Sequence, residues 1–245
     1  MQTVIHPTAR GAAEAVAGCL ADSLAQNPRL VLGLPTGRTP VPMYRELVRL
    51  HRRDRADFSS ATTFNLDEFI GLGPDDRGSY CHFMTEHFFA HVNLPRARTH
   101  VPNGVARNPR AEAERYESAI ALAGGLDIVV LGIGANGHIG FNEPAPALAS
   151  HTAVVALKTS SRQSNANLFG GRTARVPQRA ISMGMGTILS ARHIILLATG
   201  ASKAEIVAKA VNGPITTRVP ASLLQGHPRA VCVLDRAAAR RLATP

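Results

Sequence analysis

The segment from Leu126 to Pro144 constrains the fold more than any other part of the chain. Leu126-Asp127-Ile128-Val129-Val130-Leu131 is an almost continuous apolar run. Such a run reads as a strand buried on both faces, the habit of parallel strands in α/β sheets. It passes directly into Gly132-Ile133-Gly134-Ala135-Asn136-Gly137-His138-Ile139-Gly140-Phe141-Asn142-Glu143-Pro144. Glycines let a backbone turn sharply and approach a ligand, and open α/β sheets bind small molecules at such strand-end turns. His138 and Glu143 are held close together in the turn, and imidazole with carboxylate is equipment for moving protons near neutral pH.

Similar apolar runs alternate with helical patterns along the rest of the chain. Strands are expected at 30–34, 61–66, 153–157, 180–183, 193–198 and 230–234. Helices are expected at 8–25, 41–52, 110–123 and 202–211, with another beginning near Gly186-Thr187. Ser79 is the expected N-cap of a helix running to His91. The polar, Asn-rich stretch 162–171 reads equally as helix or loop. This alternation predicts an α/β fold: an open, mostly parallel, Rossmann-like sheet with helices on both faces, forming a single domain over 1–245.

The composition narrows the function classes. Hydrophobic residues are 45% of the chain, enough for a sizeable core, yet no uninterrupted apolar stretch reaches the roughly 18 residues of a membrane span. The start, Met1-Gln2-Thr3-Val4-Ile5-His6-Pro7, lacks the charged and apolar regions of a signal peptide, so a cytoplasmic location is expected. Cys19, Cys81 and Cys232 are far apart and without metal-ligand spacing, so each is expected to be a small, reduced hydrophobe. The formal net charge is +10. The excess is mostly arginine scattered over Ala-rich helices, which is a solvated surface rather than a nucleic-acid stripe.

Three strand ends carry chemistry-bearing residues. Pro35-Thr36-Gly37-Arg38-Thr39-Pro40 is either an ordinary turn or an anion site made of backbone N–H groups and threonine hydroxyls. It lacks the Gly-Lys-Ser/Thr ending of an ATP-binding loop. In Phe64-Asn65-Leu66-Asp67-Glu68-Phe69, either one acid caps the next segment and the other is solvated, or one is a base in a cleft. His138 is either a satisfied structural residue or a proton carrier oriented by Glu143. A metal site is not expected, because His138 and Glu143 are too few ligands for zinc.

Taken in order, Gly33-Leu-Pro-Thr-Gly-Arg-Thr-Pro40, Phe64-Asn-Leu-Asp-Glu-Phe69 and Gly132-Ile-Gly-Ala-Asn-Gly-His-Ile-Gly-Phe-Asn-Glu-Pro144 resemble the glucosamine-6-phosphate deaminase family. So do Val176-Pro-Gln, Gly184-Met-Gly-Thr187, Gly200-Ala-Ser-Lys203 and Pro220-Ala-Ser-Leu-Leu-Gln-Gly-His-Pro228. The resemblance covers nearly the whole chain. It implies conversion of glucosamine 6-phosphate and water to fructose 6-phosphate and ammonia, with no metal or organic cofactor. It assigns Asp67 as the base moving a proton from C2 to C1, His138 as the proton shuttle of ring opening, and Glu143 as the group that polarises it. Asn136 would lie beside the 1-hydroxyl. Gly37, Arg38, Thr39 and Lys203 would hold the phosphate.

Two positions depart from the family pattern. Asn136 stands where many members carry Asp; an amide can accept from the imidazole but lends it no charge. Asn167 stands where the family has a phosphate-gripping Arg, a loss on the order of 10²-fold in affinity. Either Arg38, Arg172 or Arg175 supplies the missing charge, or the ligand is another amino sugar, such as galactosamine 6-phosphate or an unphosphorylated one. A non-catalytic sugar-phosphate sensor is the reading from a different class. Bacterial repressors that use this fold as an effector domain carry a helix-turn-helix ahead of it, and a first strand expected at Leu30 would leave no room for one. The expected partner is thus a small sugar phosphate, not nucleic acid or membrane, and a monomer or homo-oligomer is expected. The segment Ala153-Val154-Val155 lacks the basic residues that hexameric members use for an allosteric site. Rate curves are therefore expected to stay unchanged when N-acetylglucosamine 6-phosphate is added; a sigmoidal curve made hyperbolic by it would contradict this.

Overall fold

The computed structural model describes residues 1–242; 243–245, the end of the expected domain, lie outside the described residues. The strands are β1 (Gln2–His6), β2 (Val31–Leu34), β3 (Thr62–Asn65), β4 (Asp67–Phe69), β5 (Thr99–His100), β6 (Ile128–Leu131), β7 (Ala153–Ala156), β8 (Arg179–Ser182), β9 (His193–Ala198) and β10 (Ala230–Asp235). The helices are α1 (Ala9–Gln26), α2 (Val41–His51), α3 (Tyr80–His87), α4 (Pro109–Leu122), α5 (Thr159–Asn165), α6 (Met185–Leu189), α7 (Ala204–Asn212) and α8 (Arg236–Ala239).

Seven strands form one parallel sheet in the order β1-β10-β9-β6-β2-β3-β5. Its strands are buried on both faces because their residues alternate between two cores. Leu32, Leu34, Ile128, Val130 and Ile195 pack with α1 and α2 on one side. Val31, Val129, Leu131, Ile194 and Leu196 pack with α4 and α7 on the other. Each such side chain contributes roughly 1.5–3 kcal/mol of burial. Helix starts follow local chemistry. Thr8 Oγ1 accepts from Gly11 N at 3.0 Å to open α1, and Asn108 Oδ1 accepts from Arg110 N and Ala111 N ahead of Pro109 in α4.

The structure differs from the sequence expectations at four places. The strands expected at 153–157 and 180–183 do not join the parallel sheet; with β4 they make an antiparallel sheet of order β4-β8-β7. An apolar run says that a strand is buried, not which sheet buries it. The first strand is β1, ahead of Leu30; it is a half-exposed edge strand and so lacks a continuous apolar run. The helix after Ser79 ends at His87, where Phe88 (φ −146°, ψ −61°) leaves helical geometry, and a 3₁₀ turn follows at Phe89–His91. Cys232 is buried as expected, whereas Cys19 is exposed on α1. The ambiguous 162–171 stretch resolves into the end of α5 and a 3₁₀ turn, Ala166–Phe169.

β2 and β6 approach closely at Gly33, paired with Val129. A Cβ on Gly33 would lie 2.6 Å from Val129 Cγ2. Gly33→Ala should therefore cost about 1–3 kcal/mol in urea unfolding, with Gly33→Ala/Val129→Ala less destabilised than the sum of the two single changes. Strict additivity would refute the contact.

Candidate active site

Strand order reverses between β2 and β6: the chain leaves β2 toward β3 and β5, and leaves β6 toward β9 and β10. A crevice opens at the carboxyl ends of strands at such a switch point. Here it is a cavity of ≈ 360 Å³ lined by the β2–α2 turn (Pro35, Thr36, Gly37, Arg38, Thr39, Pro40), Asp67, Tyr80, Gly134, His138, Phe141, Asn165 and Lys203, among others. All three sequence-predicted strand ends thus meet in one cavity.

Asp67 stands where the chain passes between the two sheets. Leu66 N donates to Leu34 O in the parallel sheet (3.3 Å), and Leu66 O accepts from Met183 N beside the small sheet (2.7 Å). Strand alternation then sends Asp67 and Glu68 in opposite directions. Glu68 accepts from Phe69 N, Ser79 Oγ, Tyr80 N and Cys81 N at 2.8–3.0 Å, closing the amino end of α3. Asp67 is only 5% exposed. Among the described residues it receives no hydrogen bond, and burial, then the charge of Glu68, holds its pKa well above the usual carboxylate range. One acid is therefore the cap and the other faces the cavity.

His138 is held by a directional chain. Its Nδ1 lies 2.7 Å from Asn136 Oδ1, and Asn136 Nδ2 donates to Glu143 Oε2 at 3.3 Å. A carboxylate only accepts, so it fixes the amide with nitrogen toward Glu143 and oxygen toward the ring. An amide oxygen also only accepts, so Nδ1 carries the proton and Nε2 keeps a lone pair. Glu143 thus acts on the imidazole through Asn136, not by direct contact, and its other oxygen accepts from Lys158 N (2.8 Å). Asn136 and Glu143 stand behind His138, not on the cavity wall. Burial lowers the His138 pKa to about 4, with Glu143 opposing and Lys203 adding to the shift.

Two glycines make this arrangement possible. A Cβ on Gly134 would lie 2.1–2.3 Å from three atoms of the His138 ring, so only glycine admits the imidazole there. Gly140 turns with φ +56°, and its Cβ position is 3.3 Å from both Asp67 Oδ2 and Ser182 Oγ. The histidine loop is thereby pressed against the acid. Phe141 N donates to Ser182 Oγ, and Asn142 Nδ2 to Met183 O, tying the loop to β8, which pairs with β4.

Two cations also line the cavity. Lys203 Nζ donates to Ile133 O at 2.7 Å, and burial, then the nearby Arg38 charge, lowers its pKa. Gly37, Arg38 and Thr39 line the same cavity. Asn167 does not: it is exposed on the Ala166–Phe169 turn, and Ser164 and Asn165 are the residues that this segment turns toward the cavity. Among the described residues, no group of three His, Cys, Asp or Glu side chains gathers as a metal-ligand set. No described helix is long and apolar enough to cross a membrane.

Tyr80 carried no functional signal in the sequence beyond following Ser79. Its ring lies against Phe69 and Phe141, its backbone N–H is held by Glu68, and its hydroxyl donates to Asn165 Oδ1 at 3.0 Å. Nothing in local spacing links position 80 to 165.

A buried, donor-poor carboxylate and a neutral imidazole facing a cavity lined by two cations form an acid–base site for a small anionic molecule, set in a Rossmann-like α/β fold. The chain belongs to the glucosamine-6-phosphate isomerase/6-phosphogluconolactonase family, whose pattern matches residues 6–233. It is 48% identical over 221 residues to the glucosamine-6-phosphate deaminase of Alkaliphilus metalliredigens, spanning 90% of this chain and 91% of that protein. It is 46% identical to the enzyme of the same name from Halothermothrix orenii, spanning 99% of this chain and 100% of the relative. Among solved structures, a monomeric glucosamine-6-phosphate deaminase superposes with a TM-score of 0.95 at 42% identity, over 98% of this chain and 100% of that one. The 6-phosphogluconolactonase of Trypanosoma cruzi, at 19% identity and a TM-score of 0.77 over 99% and 97% of the two chains, shares the fold.

The depressed His138 pKa has a stability signature. An unfolded histidine takes its proton near pH 6.5 and the folded one near 4, so the unfolded state binds more protons in between. The stability is complete above pH 6.5 and is lost as pH falls toward 4, by at most about 3 kcal/mol from this group. NMR titration of His138 should give a midpoint near 4, and His138→Gln should flatten the pH dependence of urea unfolding in that window. A midpoint near 6.5 would refute this environment.

Proposed function

We propose that this protein converts glucosamine 6-phosphate and water to fructose 6-phosphate and ammonia, acting as a single cytoplasmic domain. The observation that carries this reading is the shared cavity: Asp67, His138, Lys203 and the Gly37-Arg38-Thr39 turn all line the same ≈ 360 Å³ space. An acid–base pair and two cations in one space suit a small sugar that carries a phosphate.

The chemistry follows from the charges. His138 Nε2 takes the proton of the anomeric hydroxyl and returns it to the ring oxygen, opening the pyranose. The His138 Nε2 lone pair is free to accept, because Nδ1 carries the proton that is donated to Asn136 Oδ1. Asp67 then removes the C2 proton from the open-chain amino aldehyde, a proton passes from the amino nitrogen to O1 to leave the imine-forming enolamine, and Asp67 delivers the C2 proton to C1. The resulting C2 imine adds water and expels ammonia, leaving the ketose. A proton on carbon beside a carbonyl is weakly acidic, so the base must be both basic and placed. Burial supplies the first by raising the Asp67 pKa, and the Leu66 junction between the sheets supplies the second. The scheme needs no metal or organic cofactor.

A coupled ammonia-release assay with glucosamine 6-phosphate, galactosamine 6-phosphate and glucosamine tests the reading; no ammonia from glucosamine 6-phosphate would overturn it. Asp67→Asn should lower kcat/KM by about 10²–10⁴-fold with an unchanged circular dichroism spectrum. Because Asp67 works ionised and its pKa is raised, the rising limb of wild-type kcat/KM against pH should lie above the ordinary aspartate range.

A further inference from the structure

We propose that Asn165 is a positioning residue for the base: it takes the hydroxyl proton of Tyr80 and so keeps that hydroxyl from hydrogen-bonding to Asp67. This deepens the reading of Asp67 as the group that moves a proton between carbons, and rests on it. Polar side chains stand close around Asp67, and each donates elsewhere. Asp67 Oδ2 and Ser182 Oγ both lie 3.3 Å from the Cβ position of Gly140, and Asn142 Nδ2 lies 3.8 Å from it. Ser182 Oγ donates to Met183 O at 3.4 Å; Asn142 Nδ2 donates to Ile139 O at 2.9 Å and to Met183 O at 2.8 Å. Burial, opposed by the bond to Asn65, raises the pKa of Tyr116 on α4, and the Asp67 charge adds to the shift. That hydroxyl donates to Asn65 O and His100 O, at 2.8 and 3.0 Å. All these acceptors are backbone carbonyls, which come with the fold. Tyr80 differs. Burial, then the Asp67 charge, raises its pKa, so this hydroxyl too is near the acid, but its acceptor is a side chain, Asn165 Oδ1 at 3.0 Å.

The geometry of Asn165 suits that task. Its Nδ2 donates to Ser161 O at 2.9 Å, which fixes the amide with oxygen toward Tyr80. Along the same stretch of α5, Ser161 Oγ lies 3.5 Å from His138 Nδ1, and Lys158 N, at the helix start, donates to Glu143 Oε1. Positions 158, 161 and 165 thus run along the site at helical spacing. Tyr80 is held in place by Phe69 and Phe141 against its ring and by Glu68 on its backbone N–H. Asp67, Tyr80 and Asn165 line one cavity. Without Asn165, the phenol proton turns to another acceptor, and a carboxylate outcompetes the neutral Thr36 hydroxyl beside it. A bond from Tyr80 would favour the ionised acid and weaken the base. The other titratable groups facing Asp67 are Glu68 on β4, Tyr116 on α4, His138 in its loop, Arg38 in the β2–α2 turn and Lys203 before α7. The variants below leave all of them in place.

The test compares wild type, Asn165→Leu, Tyr80→Phe and the double variant. Two quantities are read: the ¹³C titration of the Asp67 carboxyl, assigned with Asp67→Asn, and the rising limb of kcat/KM against pH with glucosamine 6-phosphate. Leucine matches the amide in size and cannot accept. Asn165→Leu should lower the Asp67 midpoint and the limb by about 1–2 pH units. Tyr80→Phe should leave the midpoint at its wild-type value, and the double variant should return to it. A packing role for Asn165 would not be reversed by removing one oxygen from its neighbour. Asn165→Met replaces Asn165→Leu if the latter alters the circular dichroism spectrum. The inference fails if the midpoint does not fall in the position-165 variant, or if the double variant stays low. It fails equally if Tyr80→Phe alone raises the midpoint by a unit or more, since the hydroxyl would then already bond Asp67. If the titrations behave as expected while wild type releases no ammonia, the positioning role stands and the deaminase reading falls. If ammonia is released and the midpoints do not move, the reverse holds.

Discussion

A buried carboxylate without donors is costly, and the architecture around Asp67 exists to sustain one. Its neighbour Glu68 shows the ordinary solution: four donors surround it, and it becomes a structural cap. Asp67 is denied that solution by a single step along β4, which turns it toward the cavity. The free energy withheld from it as hydrogen bonds reappears as basicity. The seven-stranded sheet, the small antiparallel sheet and the histidine loop all meet at this residue, and Gly140 against Oδ2 leaves the carboxylate little freedom to turn away.

The histidine is controlled by the opposite means. Where Asp67 lacks partners, His138 has a chain of them, Glu143 to Asn136 to Nδ1, each step directional because carboxylates and amide oxygens cannot donate. The carboxylate's influence reaches the ring as orientation and as a charge that raises its pKa, but burial outweighs that charge and the ring stays neutral. An amide at position 136 is therefore sufficient to select the tautomer. It lends the ring no charge, and a shuttle that returns its proton does not require one.

Much of this was legible in the sequence, for identifiable reasons. The parallel sheet was readable because strands buried on both faces leave continuous apolar runs, as at 126–131 and 193–198. The histidine loop was readable because Gly134 and Gly140 are demanded by close contacts. The division of labour between Asp67 and Glu68 was open, since alternation fixes opposite faces but not which face is the cavity. The antiparallel sheet was missed because β4 has three residues and β7 and β8 look like any apolar strand. β1 was missed because an edge strand carries half a signal. Tyr80 and Asn165 meet only through tertiary packing, and Asn167 was assigned to the cavity from its place in a pattern, whereas the 3₁₀ turn carries it outward.

The double commitment of Leu66 has a wider implication. Its amide belongs to one sheet and its carbonyl to the other, so the pairing of β4 with β8 decides which acid the cavity receives. Slipping that ladder by one residue would exchange the faces of β4, presenting the longer glutamate inward and leaving the aspartate to close α3. Residues far from any ligand, on β8 and in the loop stitched to it, thus guard the identity of the reacting group through alignment alone.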